Sequence, residues 1–534
     1  MNGIDLSRNP DGKRPARRAR TNLVLKPARP SPSATTSTAR DPNRRRISWA
    51  LWLGILIVIP VTSFPAVSGL LGGETPVGPL ALVPLVGLSL VWLAPRLLRG
   101  GRLPAPFAPL LAFALMAVVS AAAATALPIE VYKGQTVLTR EVRAMATLTI
   151  GLAFYLCAAT IPDSQAGLAR SLRAIHIGGL AMMAWSAVQA WVVLREPDHV
   201  PLLITQVHHW FSVRDPLVDR VTGLSYEPSW LGNQLMVLYL PLLFASVAQR
   251  KTVFFTRWLP LSLEWVMLIV GLGVLALTRS RISILSLVAV AAAIYLVVGW
   301  RVLGRWLLHR ITPGAPRPLG ALVAALAMLL LCVGLLGGAA GAASAISRVD
   351  TRMDALRNVV GHIPEARYLY PNEAGYEIGS RLAVAERFVY WTVAFRAFAE
   401  YPLLGVGPGN AGFFFESNRP GYGDELTEIR TVVDDPDFGF PNPKNLWLRV
   451  LAENGIPGLA TFGIWFGLMA VASLALWRAG EGIDRLIGLA GALAAVSQLV
   501  EGFSLDTYAL PQLWVLFGLV TAAAGRLRTS GRAR

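Results

Sequence analysis

Twelve apolar runs of about twenty residues, spread along nearly the whole chain, restrict it to one kind of environment. They lie at about 48–70, 77–95, 105–127, 144–161, 174–194, 228–248, 259–278, 282–300, 319–345, 455–477, 485–503 and 508–525. A helix rising ~1.5 Å per residue needs ~20 such residues to cross a ~30 Å hydrocarbon core. In that medium every backbone polar group must be paired within the segment, so each run predicts a helix. Only 15% of the residues are charged and 54% are hydrophobic, whereas soluble chains carry roughly a quarter charged residues. The expected fold class is therefore all-α: a polytopic membrane protein of about twelve transmembrane helices. A large, partly helical loop separates spans nine and ten.

The formal charge of +17 points to membrane topology once its placement is considered. Residues 1–46 hold twelve Lys or Arg against three acids, set among Pro, Ser and Thr without apolar periodicity. Such a tail predicts a disordered basic segment near anionic lipid, and nucleic acid is not an expected partner. Further spans follow the first run, and no convincing cleavage site closes it, so a signal peptide is not expected. With the tail on the cytoplasmic side, short cytoplasmic connections and the two tails collect thirty of the forty-nine basic residues, and both termini are cytoplasmic. The predicted organisation is a tail at 1–47, spans one to nine at 48–345, an outer loop at 346–444, spans ten to twelve at 445–525 and a short tail at 526–534. Cys157 and Cys332 each sit inside an apolar run without metal-ligand neighbours, and no disulfide is expected. No internal repeat of the kind that builds transporters from two related halves is visible.

The outer segments carry the chemistry-bearing residues. The connection Thr278-Arg279-Ser280-Arg281 is very short and faces outward with two arginines, against the topological charge rule. Arginine's fork of donors suits a pyrophosphate headgroup, and simple snorkelling is the alternative. Before span six stands Arg220-Val-Thr-Gly223-Leu-Ser-Tyr-Glu227-Pro228, with Pro228 at a helix start. Glu227 there either complements the helix dipole or accepts a proton from a hydroxyl at the membrane boundary. His208 and His209 are adjacent and do not share a helix face, so they are a weak metal pair. The acidic run Asp434-Asp435-Pro436-Asp437 reads as solvated loop, and no metal is expected.

In the long loop, residues 380–400 have the pattern of an amphipathic helix, with Leu382, Phe388, Trp391, Phe395 and Phe398 as its apolar stripe. Arg387 and Trp391 are four apart and share a face; Arg381 precedes them. Gly405-x-Gly407-x-Gly409 has no preceding strand and the wrong third spacing for a dinucleotide site, so it predicts a turn. Lys444-Asn445 marks the mouth of the next apolar helix, where Lys444 can meet phosphate as a point charge.

Arg387-x-x-x-Trp391, then Pro402-Leu-x-Gly405-x-Gly407, then Lys444-Asn445-x-x-Leu448-x-x-x-x-Glu453-x-Gly455-Ile-x-Gly458, resembles the signature of the O-antigen ligase and polymerase superfamily of bacterial membrane proteins. Ser280-Arg281 is similar to a further position of that family. The resemblance spans roughly residues 220–470 and implies a GT-C-like membrane glycosyltransferase of the inner membrane with a periplasmic active site. It implies an undecaprenyl-pyrophosphate-linked oligosaccharide as donor, no nucleotide sugar, no cofactor and no metal, with a chain-length regulator as partner. Ligases of the family usually carry His-Asn where this chain has Lys444-Asn445, and Arg220-x-x-Gly223-x-x-x-Glu227-Pro228-Ser229 resembles repeat-unit polymerases. Both points favour an O-antigen or exopolysaccharide polymerase over a ligase, and a flippase is the more distant alternative. The implied catalytic residues are Glu227, Arg281 and Arg387; Arg220, Arg279, Trp391, Lys444 and Asn445 are expected to bind substrate.

Overall fold

The computed structural model describes residues 42–70, 77–195, 198–254, 262–304, 306, 317–347, 379–380, 384–436 and 438–531. Most of the basic N-terminal tail, much of the long loop, Arg381, Leu382 and Asp437 lie outside them. The protein is an all-α polytopic membrane protein. Among the described residues strand pairing is limited to three isolated bridges.

The apolar runs fold into α1 (Pro42–Val58), α2 (Leu82–Leu98), α3 (Ala105–Ala124), α4 (Val137–Thr160), α5 (Gln165–Val193), α6 (Pro228–Ala248), α7 (Leu263–Leu277), α8 (Arg281–Gly304) and α9 (Arg317–Ser347). The loop contributes α10 (Ala385–Glu400) and α11 (Thr427–Asp434). The chain then re-enters through α12 (Leu446–Ala479), α13 (Gly482–Glu501) and α14 (Gln512–Gly531). Among the described residues seven helices are long and apolar enough to span a membrane, and shorter apolar helices accompany them.

Several boundaries differ from the apolar pattern, two of them for local reasons that bear on the site. The first run, 48–70, is divided: α1 starts earlier and ends at Val58, Pro60 stands in the following turn, and Pro65–Leu70 forms a separate short helix. The tenth span begins at Leu446 rather than 455, because Asn445 caps it by accepting N–H bonds from Trp447 (3.0 Å) and Leu448 (3.1 Å).

One core of buried aliphatic and aromatic residues runs through the bundle. Within it α6 is the most enclosed span, with 83% of its apolar window buried, whereas only 17% of that of α8 is buried. The more exposed α8 meets α6 and α13 at its N-terminal end, where Ser283 and Ser286 are buried. A smaller core of Val389, Tyr390, Val393, Phe415, Ile429 and Val432 joins α10 to α11 and makes the described loop a folded plate.

Candidate functional site

The glycine-rich turn and the Glu453-x-Gly455-Ile-x-Gly458 segment are two halves of one joint. Gly455 adopts φ +65° inside α12 and breaks its hydrogen-bond ladder. The freed carbonyls of Ala452 and Glu453 accept bonds from the N–H groups of Val406 (2.9 Å) and Gly407 (3.0 Å), and Ile456 N–H donates to Pro402 O (3.0 Å). The Ser120 hydroxyl lies 2.5 Å from the Leu404 carbonyl and 2.6 Å from that of Glu453. A side chain at Gly455 would run into the Leu403 carbonyl. Irregular backbone at membrane depth survives only when its polar groups are paired in this way. The joint thus fixes where the loop leaves α10 relative to α12.

Just above it, Arg449 Nε pairs with both Glu453 oxygens (3.2 and 3.1 Å), and its Nη1 donates to Asp506 O (2.8 Å). Its guanidinium lies 5.1 Å from the Tyr508 ring centroid. Breaking such a buried pair from one side leaves a charge uncompensated, so Arg449 and the motif residue Glu453 hold the helix mouth to the turn between α13 and α14.

Lys444 closes the plate. Its Nζ donates to Glu428 Oε1 at 2.6 Å and stands 4.1 Å over the Tyr390 ring, and the Tyr390 hydroxyl donates to the same carboxylate oxygen at 3.0 Å. Lys444 takes φ 49°, and its N–H lies 3.1 Å from Asn442 Oδ1 and 3.0 Å from Asp506 Oδ2. The ammonium expected to meet phosphate is therefore already paired with a carboxylate. Burial raises the Glu428 pKa, but Lys444, Tyr390 and Arg387 together outweigh it and hold the group below its ordinary value of 4.5. A carboxylate with a lowered folded-state pKa stabilises the fold above its unfolded pKa, and that contribution is lost as pH falls through the folded value. Acid unfolding of the wild type should accordingly show a loss of stability below about pH 4.5 that is smaller in Glu428→Gln, as read by melting temperature across a pH series.

Arg387 lies on α10 facing the same region. Its Nη1 donates to Lys444 O (3.3 Å) and Ser504 O (3.1 Å), and it forms no ion pair with a described residue. A guanidinium has five N–H donors, so Arg387 keeps donors beyond these two carbonyl bonds and has no ion-pair contact among the described residues at the loop–membrane junction. Trp391, one turn on, packs on Phe388 (5.4 Å) and edge-on to Phe503 (5.7 Å), and its buried indole N–H has no hydrogen-bond partner among the described residues. Asn445 is fully buried: its oxygen caps α12, while its amide nitrogen has no hydrogen-bond partner among the described residues.

The second half of the site is built by α6 and α8. Val221 N–H donates to Leu277 O (3.0 Å), which lays the Arg220 segment beside the Thr278–Arg281 turn. Gln189 straps that segment from within, its oxygen accepting from the N–H groups of Thr222 (3.0 Å) and Gly223 (2.7 Å). Glu227 stands at the N-cap position of α6, and its carboxylate accepts not from the helix N–H groups but from Arg214 (3.3 Å) and Ser229 (3.1 Å). Arg220 pairs with its neighbour Asp219 (3.0 Å). Arg279 is exposed at φ 49°, and Arg281 opens α8 after buried Ser280.

Both halves meet at one turn that the sequence did not single out. Fully buried Glu501, the last residue of α13, accepts from Asn233 of α6 (3.4 Å) and from Ser283, two residues beyond Arg281. The chain then passes Phe503, Ser504 and Asp506, which touch Trp391, Arg387 and Lys444 respectively. An acid closing an otherwise apolar span was the available signal for this turn.

The two histidines diverge. His208 is buried, with its Nδ1 3.3 Å from both Trp185 Nε1 and Gln189 Nε2, and burial, then His209, pulls its pKa down to about 4. His209 instead meets exposed Asp215 at 2.7 Å. Among the described residues no three His, Cys, Asp or Glu side chains converge as a metal site.

Residues 266–463 match the family model described as O-antigen ligase. No curated protein matches the chain. The matched segment holds the start of α8, Arg387, the glycine joint and the Lys444–Gly458 stretch, all of which converge on the same junction, and over these residues the chain is similar to the O-antigen ligase family.

Proposed function

We propose that the protein is a polysaccharide repeat-unit polymerase of the bacterial inner membrane. It transfers glycan from an undecaprenyl-pyrophosphate donor to a second lipid-linked repeat unit on the periplasmic face, with both termini in the cytoplasm. The observation that carries this reading is Arg387: a guanidinium bonded to two main-chain carbonyls and to no described carboxylate, reaching from α10 to the turn that also anchors the helix of Arg281.

In the proposed reaction an acceptor hydroxyl oxygen bonds to the donor's anomeric carbon as the carbon–oxygen bond to pyrophosphate breaks. The electron pair leaves with the carrier pyrophosphate, where Arg281 and Arg387 stabilise the growing charge. The hydroxyl proton passes to Glu227, whose carboxylate is oriented by Arg214 and Ser229. Arg279 and Arg220 extend the positive rim. Trp391, Asn445 and Lys444 shape the junction, with Lys444 acting chiefly through its bond to Glu428.

A ligase would use the same chemistry with lipid A-core as acceptor, and a flippase would join nothing. Carrier-lipid analysis of cells lacking the protein tests the three. The polymerase reading predicts single repeat units accumulating on the carrier. Long polymer on the carrier would show a ligase, and absence of repeat units from the periplasmic leaflet would show a flippase.

A further inference from the structure

At the opposite rim of the bundle, away from Glu227 and Arg387, the first turn of α1, the last turn of α2 and the end of α4 enclose a cavity of about 220 Å³. That this is the opposite rim follows from the chain: α1 ends beside residues 60–64, and Thr62 and Ser63 bond to Tyr226 and Ser212 on the site side. The cavity is lined by Arg45, Arg96, Trp49, Trp92, Thr160 and Asp163, among others. It is smaller than the ~300–1,000 Å³ that encloses a whole drug-sized ligand, which suits the headgroup end of a lipid whose chains remain in the bilayer.

Its chemistry is that of an anion site in a membrane interface. Two arginines supply forked donors suited to phosphate oxygens. Trp49 and Trp92 supply the amphipathic rings found at headgroup level. The Trp92 indole N–H is held by Thr160 (3.2 Å), and Arg170 lies 4.3 Å from the Trp49 ring centroid, so both rings are fixed in place. Arg45 pairs with Asp163 at 2.9 Å, but both side chains are about half exposed (50% and 48%). A pair so open contributes little and can exchange one oxyanion for another. We infer that this cavity binds the phosphate headgroup of an anionic phospholipid, with Arg45 and Arg96 on the phosphate and the two tryptophans against the glycerol and upper chains.

The full-length chain, purified in neutral detergent, tests this by thermal unfolding with short-chain phosphatidylglycerol, phosphatidylcholine or inorganic phosphate added. Phosphatidylglycerol should raise the melting temperature saturably, and the other two should not. In Arg45→Gln/Arg96→Gln the half-saturating concentration should rise on the order of tenfold or more. In Asp163→Asn it should fall, because the competing carboxylate is gone. An equal response to phosphatidylcholine, or a full response to inorganic phosphate alone, overturns the inference. So does a phosphatidylglycerol response unchanged in both variants. If the double variant does not fold, Asp163→Asn alone decides: a lower half-saturating concentration supports the site, and an unchanged or higher one overturns it.

Discussion

Arg387→Glu should abolish long polymer while leaving single repeat units on their carrier. Arg387→Ala should lower the joining rate by about 100- to 1,000-fold, the usual cost of removing one preorganised charge stabiliser. The reasoning rests on charge balance. Lys444, Arg449, Arg214 and Arg220 each have a carboxylate within hydrogen-bond reach, whereas among the described residues Arg387 bonds only to carbonyls. Its charge is therefore placed to be neutralised by a pyrophosphate. Arg387→Lys should recover only part of the activity, since a point charge cannot hold two carbonyls and still present a fork. Carrier-linked glycan length, measured beside melting temperature, separates lost chemistry from lost folding. Normal chain lengths in the glutamate variant would remove Arg387 from the mechanism.

The second large effect concerns the joint. Gly455→Val places a β-branched side chain at φ +65° and against the Leu403 carbonyl. The backbone alone costs about 1–3 kcal/mol, and the displaced carbonyl loosens the bonds between Pro402–Gly407 and α12. The expected outcome is a protein that still inserts but in which the segment 402–444 is cut readily by protease, with polymer lost. Gly455→Ala should be intermediate. A valine variant with wild-type protease resistance and chain lengths would show that the joint does not hold the loop.

Much of the scaffold was legible because membrane helices announce themselves: about twenty apolar residues have no other stable arrangement in hydrocarbon. The junction was harder to read. Gly405-x-Gly407 is a turn, as its residues imply, but its role is visible only beside the break at Gly455, which frees the Ala452 and Glu453 carbonyls that the turn binds from far along the chain. Lys444 illustrates the same limit. Its charge and position suggest a phosphate contact, yet Glu428, on a helix absent from the expectations, pairs with it. Ser504 and Asp506 carry no motif at all. They matter because the α13–α14 turn is where the loop plate and the α6–α8 pair come together, and pairing across such distances leaves no periodic trace. Arg381 and the stretch from Arg348 to Glu377 lie outside the described residues.

The most direct test of the central claim is reconstitution of the purified protein in vesicles with a single substrate, an undecaprenyl-pyrophosphate-linked repeat unit, and no lipid A-core. A polymerase predicts a ladder of carrier-linked glycans growing by one repeat at a time, absent with Arg387→Glu. An unchanged pool of single units, with transfer appearing only when lipid A-core is added, would contradict the account and make the protein a ligase.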